Sequence, residues 1–246
     1  MTTLFISDLH LCAERSGKLA LFKKLLRGPA RDAESLYILG DLFEAWAGDD
    51  DSTPPHGEII TELAAYTQSG AQLFIMRGNR DYLISQKFTE NTGAQLLDDE
   101  TPITLNGDKV LLMHGDTLCT EDVKYQIFRR IINNAVSRNI FMQFPYALRT
   151  KIWHKIRGAA IKSAEKKSKY IIDVHQATVE LKMKKHNVHC LIHGHTHRQA
   201  VHEFELDGQD AKRIVLGDWY QGDSVLVSNE TGLKLFGVDD YINQNS

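Results

Sequence analysis

The sequence predicts an α/β (α+β) fold, a layered core completed by an antiparallel half into a sandwich of two sheets, with a helical cap inserted. Three observations predict it. Short β-branched and aromatic runs alternate with amphipathic helical stretches as far as Met113. The strand signal then vanishes until His189. After His197 the pattern becomes hairpin-like. Strands alternating with helices imply layered packing, whereas closely spaced strands with turn residues imply antiparallel pairing.

Strands are expected at 4–7, 36–39, 72–76, 110–113 and 189–193, where apolar runs rich in β-branched and aromatic residues occur. The helix expected at 18–27 carries Leu19, Phe22, Leu25 and Leu26 on one face, and that at 58–67 carries Ile59, Ile60, Leu63 and Ala64. The three acids of Asp49-Asp50-Asp51 precede Ser52-Thr53-Pro54-Pro55, so this stretch is expected as an exposed loop with solvated charges. Residues 120–187 are expected as an inserted basic helical cap, broken at Pro145 and Gly158, within a single domain spanning 1–246. Later strands are expected at 201–206, 214–216, 224–228 and 233–238, punctuated by Asp207-Gly208 and Thr231-Gly232.

A chain of 246 residues can bury a full core as one domain, and 42% apolar with 25% charged residues is ordinary for a soluble protein. It lacks an apolar run of the roughly 18–20 residues that span a bilayer. Its first residues lack a basic leader and enter a strand at once, so a cytoplasmic protein is expected. Cys12, Cys119 and Cys190 are odd in number and far apart, which fits reduced thiols. Residues 120–187 hold 15 Lys+Arg against 5 Asp+Glu, while the remainder holds 14 against 27. A basic part therefore interrupts an acidic one.

Five motifs follow apolar runs in order: Asp8-Leu9-His10, Gly40-Asp41, Gly78-Asn79-Arg80-Asp81, His114-Gly115 and Gly194-His195-Thr196-His197. Period-two spacing turns Asp8 and His10 the same way, and likewise His195 and His197. Strand ends are where open α/β sheets gather their sites. Mixed carboxylate, imidazole and carboxamide groups suit two Mn²⁺ or similar divalent ions, a pairing matched to in-line displacement at phosphorus. His193 faces the other way and is expected as a hydrogen-bonded core histidine. His56, His154, His175, His186, His189 and His202 fall outside these motifs.

On these five motifs the chain resembles the calcineurin-like metallophosphoesterase family outside the cap. The resemblance implies a two-layer β-sandwich flanked by helices. It implies one metal on Asp8, His10 and His197, a second on Asn79, His114 and His195, and Asp41 between the two. Many family members have histidine after the motif asparagine, able to protonate a leaving oxygen. Arg80 stands there instead, and a guanidinium cannot serve as an acid near neutral pH. A phosphate leaving group needs no such proton, since its second pKa is about 6. A fork of N–H donors also grips a diphosphate. Arg80 therefore points to a phosphoanhydride substrate; a surface arginine paired with Asp81 is the alternative.

The basic, aromatic cap suits an anionic membrane face or a wall for acyl chains. Together with Gly78-Asn79-Arg80-Asp81-Tyr82 and Ile192-His193-Gly194-His195-Thr196-His197-Arg198, it extends the resemblance to the full length, toward a branch acting on lipid-linked UDP-sugars. That branch hydrolyses UDP-2,3-diacylglucosamine to UMP and 2,3-diacylglucosamine 1-phosphate in lipid A biosynthesis, at the cytoplasmic face of the inner membrane. The resemblance implies that Asn79, Arg80, Asp122 and Lys167 hold substrate and that His195 reaches its phosphate. Positions 160 and 164 share a helical face with 167. They are often polar in that branch; here Ala160 and Ala164 leave backbone contact only. Trp46, Phe128 and Phe141 are candidates for acyl-chain contact. A soluble nucleotide-sugar or dinucleotide pyrophosphatase is a second reading, and a nucleic-acid-binding module a third. The overall acidity and the lack of a nucleic-acid motif argue against the third, and no obligatory protein partner is expected.

Overall fold

The structure, a computed structural model, describes residues 2–164, 173–220 and 222–245. Two mixed sheets stack face to face. In the first, β1 (Thr3–Ile6), β2 (Ser35–Leu39), β3 (Gln72–Met76) and β4 (Gln95–Leu97) run parallel, with β10 (Val225–Asn229) and β11 (Gly232–Phe236) continuing it antiparallel beyond β1. In the second, β6 (Asp108–Met113), β7 (Cys190–His193) and β9 (Gln209–Val215) run parallel, edged by β5 (Thr101–Leu105) and β8 (Ala200–Leu206).

Side-chain alternation sorts the core into layers. Phe5, Leu39, Val110, Leu112, Ile192 and Leu226 meet between the sheets. Their neighbours Leu4, Ile6 and Ile38 face outward, onto α1 (Ser16–Arg27) and α2 (His56–Gln68) through Phe22, Leu25, Ile59 and Leu63. On the other side, Leu111, Met113 and Leu191 face Val179 and Met183 of α7 (Gln176–His186). Each such buried side chain contributes about 1.5–3 kcal/mol. Central strands covered on both faces are apolar throughout, which is why β1 is buried at every position.

The expected antiparallel half is divided between the layers. The β8–β9 hairpin, turning at Asp207 and Gly208 with φ of 54° and 79°, edges the second sheet, while β10–β11 edges the first. The opposite edge of the second sheet is closed by a further hairpin, β5–β6, turning at Asn106 and Gly107. Strand β5 was not expected, because Pro102 breaks its pattern; at a sheet edge the missing N–H is tolerated. The short helix α3 (Gln86–Thr92) was not expected either.

Between β6 and α7 lie α4 (Val123–Ile132), α5 (Ala135–Met142) and α6 (Tyr146–Ala164). Asn134 separates the first two and caps α5, its side chain accepting from Val136 N–H and Ser137 N–H. Helix α6 begins after Pro145 but runs through Gly158 without a break. A single glycine costs a helix only about 1 kcal/mol, and anchors in the two turns ahead of it hold α6 down. Trp153 is 5% exposed and packs on Tyr82, and Arg157 Nη1 donates to Glu44 O at 2.9 Å. The stretch read as the insertion, 120–187, thus ends in α7, which belongs to the sandwich core.

The Asp49–51 loop differs most from expectation. Its acids are anchors rather than solvated charges. Asp49 accepts from Ser85 Oγ at 2.6 Å and Phe88 N at 2.8 Å, at the start of α3. Asp50 pairs with Arg149 of α6, which is 1% exposed and also donates to Ala47 O at 2.8 Å. Asp51 is 7% exposed and accepts from Tyr146 Oη at 2.6 Å. Three consecutive acids therefore bolt α3 and α6 to the chain leaving β2.

Candidate active site

The residues of the five motifs leave the carboxyl ends of β1, β2, β3, β6 and β7, so the two sheets face one another across a single cluster. The pairs two apart are not extended, as period-two spacing had suggested. Strand β1 stops at Ile6, and Asp8, His10, Asp41, His195 and His197 take left-handed backbone with φ of 53°, 49°, 54°, 69° and 59°. Non-glycine residues there carry strain that persists where surrounding contacts over-determine it, typically at functional sites. Those contacts are visible: Asp8 N donates to Gly40 O at 3.1 Å and His10 N to Asp41 O at 2.9 Å. A Cβ at Gly78 would strike Asp41 Oδ1, and one at Gly194 would strike Asp8 Oδ2, so glycine is needed at both.

Each polar group is aimed. Asp8 Oδ2 accepts from Ser7 Oγ at 2.7 Å and His195 N at 2.8 Å, which leaves Oδ1 buried without a hydrogen bond. That oxygen lies 3.3 Å from His197 Nε2 and 3.9 Å from His10 Nε2. His114 gives Nδ1–H to Leu39 O at 2.9 Å and turns Nε2 to Asn79 Oδ1 at 3.1 Å. His195 Nδ1 reaches the same Asn79 oxygen at 3.0 Å. Asp41 stands between the two sets, with Oδ2 3.7 Å from His10 Nε2 and Oδ1 3.9 Å from His114 Nε2.

These residues fit divalent ions. Ligand-bearing atoms of Asp8, His10 and His197 lie within 4.8 Å of one another, as do those of Asp8, Asp41 and His114. Burial pushes the Asp41 carboxyl up to about 7, with Asp81 and Asp8 adding repulsion. Burial, with the charge of His114, pulls His195 down to about 4, so its ring is neutral at pH 7 and has a lone pair to give. Crowded carboxylates and neutral imidazoles are a donor set that a cation completes.

Arg80 lies at this cluster. Its backbone N–H donates to Asp41 Oδ1 at 2.8 Å, and its Nε is buried without a hydrogen bond, 3.9 Å from Asp41 Oδ2. Asp81 is not its partner. That carboxylate is fully buried and accepts from Leu42 N at 2.7 Å and Gly78 N at 2.8 Å, tying two motif loops together.

The remaining expected residues fall as follows. Asp122 caps α4, accepting from Tyr125 N at 3.1 Å. Phe128 is part-buried on α4, and Phe141 packs against the core from α5. Trp46 does not face open space. It is 1% exposed, stacked on Phe43 at 4.4 Å, with its indole N–H on Asp49, so an acyl chain would have to displace core packing. Ala160 and Ala164 lie on the backbone of α6, their side chains outside the description, and Lys167 lies outside the described residues. His193 is a core histidine, its Nδ1 2.8 Å from Gly194 O and its Nε2 3.1 Å from Arg213 Nη1. Cys119 and Cys190 are buried thiols and Cys12 is partly so.

Sequence reasoning missed two supports. Asp218 Oδ2 lies 2.9 Å from His197 Nδ1, which turns Nε2 into the cluster. It follows Leu216-Gly217 just as Asp41 follows Leu39-Gly40, a signal that was legible. Asp116 accepts from Tyr125 Oη at 2.6 Å and pairs with Arg129, which joins the His114 loop to α4.

The description of the calcineurin-like phosphoesterase family matches residues 1–199. A UDP-2,3-diacylglucosamine hydrolase from Aeromonas hydrophila is 48% identical, over 92% of this chain and 94% of its own. Proteins of the same description from Serratia proteamaculans and Vibrio parahaemolyticus are 48% and 46% identical, over 93% and 96% of this chain and 95% and 97% of theirs. The chain belongs to the calcineurin-like phosphoesterase family.

Proposed function

We propose that this protein is a metal-dependent hydrolase that cleaves the diphosphate of UDP-2,3-diacylglucosamine, releasing UMP and 2,3-diacylglucosamine 1-phosphate in lipid A biosynthesis. Near-full-length likeness to relatives of that description carries the reading. The arrangement of the site supports it. Asp8, His10 and His197 would hold one ion, Asn79, His114 and His195 the other, and Asp41 both, with Mn²⁺ matching the mixed oxygen and nitrogen donors. The ions supply positive charge to the phosphate and lower the pKa of the attacking water.

The chain's own groups do the rest. Arg80 directs N–H donors at the diphosphate and stabilises charge gathering on it as the α-phosphorus is attacked. The lipid phosphate leaves as an anion without a proton donor, because its second pKa is about 6. The strained loops hold Asp8, His10, Asp41, His195 and His197 in place, so little reorganisation is needed during the reaction. Asn79, Arg80, Asp122, Lys167 and His195 remain the proposed substrate contacts, with backbone contact at 160 and 164 and with Phe128 and Phe141 beside the acyl chains.

We further propose a peripheral position on the cytoplasmic face of the inner membrane. Val123, Ile127, Ile131, Val136 and Ile140 are 53–66% exposed along α4 and α5, with exposed Lys124 and Arg130 among them. Apolar residues beside basic ones suit an anionic bilayer surface. Among the described residues, no helix is long and apolar enough to cross a membrane.

The test is turnover by Mn²⁺-loaded protein of UDP-2,3-diacylglucosamine against non-acylated UDP-N-acetylglucosamine. The acylated substrate is expected to be preferred by at least about a hundredfold in kcat/KM, a difference of about 2.7 kcal/mol. Equal turnover of the two would replace this reading with a soluble nucleotide-sugar pyrophosphatase.

A further inference from the structure

Glu44 lies three residues past Asp41, outside every motif, with its side chain 17% exposed. Four groups from three parts of the chain converge on its carboxylate. Oε2 lies 3.5 Å from His10 Nδ1 and 3.7 Å from Arg15 Nη2, and it accepts from Tyr220 Oη. Oε1 pairs with Arg157 of α6, whose other arm donates to the Glu44 backbone oxygen at 2.9 Å. The Tyr220 ring packs on His10 at 4.6 Å, and the Arg15 guanidinium lies 3.5 Å over that same ring.

His10 is the exception among three imidazoles of the cluster. His114 has its outer nitrogen on Leu39 O and His197 has its own on Asp218, whereas His10 Nδ1 is buried without a hydrogen bond. The nearest carboxylate to that nitrogen is Glu44. A carboxylate behind an imidazole fixes its tautomer and orientation and raises its basicity as a ligand. We propose that Glu44 is a positioning residue, holding the His10 ring through one oxygen and docking helix α6 through the other. The inference rests on the reading of His10 as a metal ligand. It adds that the residue serving that ligand is also one of those that seat helix α6.

Two effects of Glu44→Gln follow, and they are separable. Titrating metal-free protein with Mn²⁺, read by the electron paramagnetic resonance of free Mn²⁺, is expected to show one of two sites weakened about ten- to hundredfold. KM for UDP-2,3-diacylglucosamine is expected to rise several-fold through the loss of the Arg157 ion pair. Arg157→Ala is expected to raise KM while leaving Mn²⁺ affinity at the parent value. Glu44→Asp, whose carboxylate falls short by one methylene, is expected to weaken the same Mn²⁺ site by less, and it serves if Glu44→Gln does not fold.

Parent-like Mn²⁺ binding by the Glu44 variants, while His10→Ala loses one ion, would overturn the role of Glu44 alone. Parent-like binding by His10→Ala itself would overturn both the inference and the metal-site reading. Weakened Mn²⁺ binding in Arg157→Ala would overturn the division between the two carboxylate oxygens.

Discussion

Asp41→Ala is expected to lower kcat by about a thousandfold. The Asp41 carboxylate stands between the two imidazole sets, one oxygen 3.7 Å from His10 and the other 3.9 Å from His114. Its removal takes negative charge from both proposed ion positions at once. Charge stabilisation by such ions supplies several kcal/mol, and each 1.36 kcal/mol is tenfold in rate. Asp41 Oδ1 also accepts the Arg80 backbone N–H at 2.8 Å, so alanine loosens the loop that presents Arg80. Asp41→Asn separates these contributions, since its amide oxygen can still accept from Arg80 while the charge is lost. Kinetics with Mn²⁺ varied would check both variants. Alanine activity within tenfold of the parent would contradict a shared role for this carboxylate.

Arg80→Ala is expected to lower kcat/KM for the diphosphate about ten- to hundredfold, since charge-assisted hydrogen bonds contribute about 1.5–3 kcal/mol. Its Nε is buried, lacks a hydrogen bond and lies beside Asp41, so the side chain is directed at the cluster rather than at Asp81. The shape of the pH–rate profile discriminates further. A guanidinium keeps its proton across the working range, so the variant should show a uniformly lower profile with both limbs intact. Disappearance of the alkaline limb would mean that Arg80 acts in proton transfer, against the anhydride argument. Arg80→His, which reinstates a potential acid, is expected to remain slower than the parent, because a phosphate leaving group gains little from a proton.

The strand-end positions of the cluster were legible because parallel strands covered on both sides are apolar, and their ends are sharply marked by glycine and polar residues. Ile38-Leu39-Gly40-Asp41 and Leu111-Leu112-Met113-His114 both show this. Left-handed backbone at Asp8, His10, Asp41, His195 and His197 was not legible, since nothing in those residue types requires it; tertiary hydrogen bonds impose it. The anchoring of Asp49, Asp50 and Asp51 was hidden for a similar reason. Each finds its partner far along the chain, and an acid run looks the same whether it is solvated or paired. Glu44 carried no signal at all, because its four partners come from the β1–α1 connection, from the loop holding Tyr220 and from α6. Pro102 concealed β5, and the division of the later hairpins, β8–β9 to one sheet and β10–β11 to the other, could not be foreseen from hairpin pattern alone.

Isotope labelling tests the central claim most directly. Hydrolysis of UDP-2,3-diacylglucosamine by Mn²⁺-loaded protein in ¹⁸O water, followed by mass spectrometry of both products, locates the phosphorus that water attacks. Attack at the α-phosphorus, with the lipid phosphate leaving past Arg80, predicts the label in UMP. Label in 2,3-diacylglucosamine 1-phosphate would contradict it.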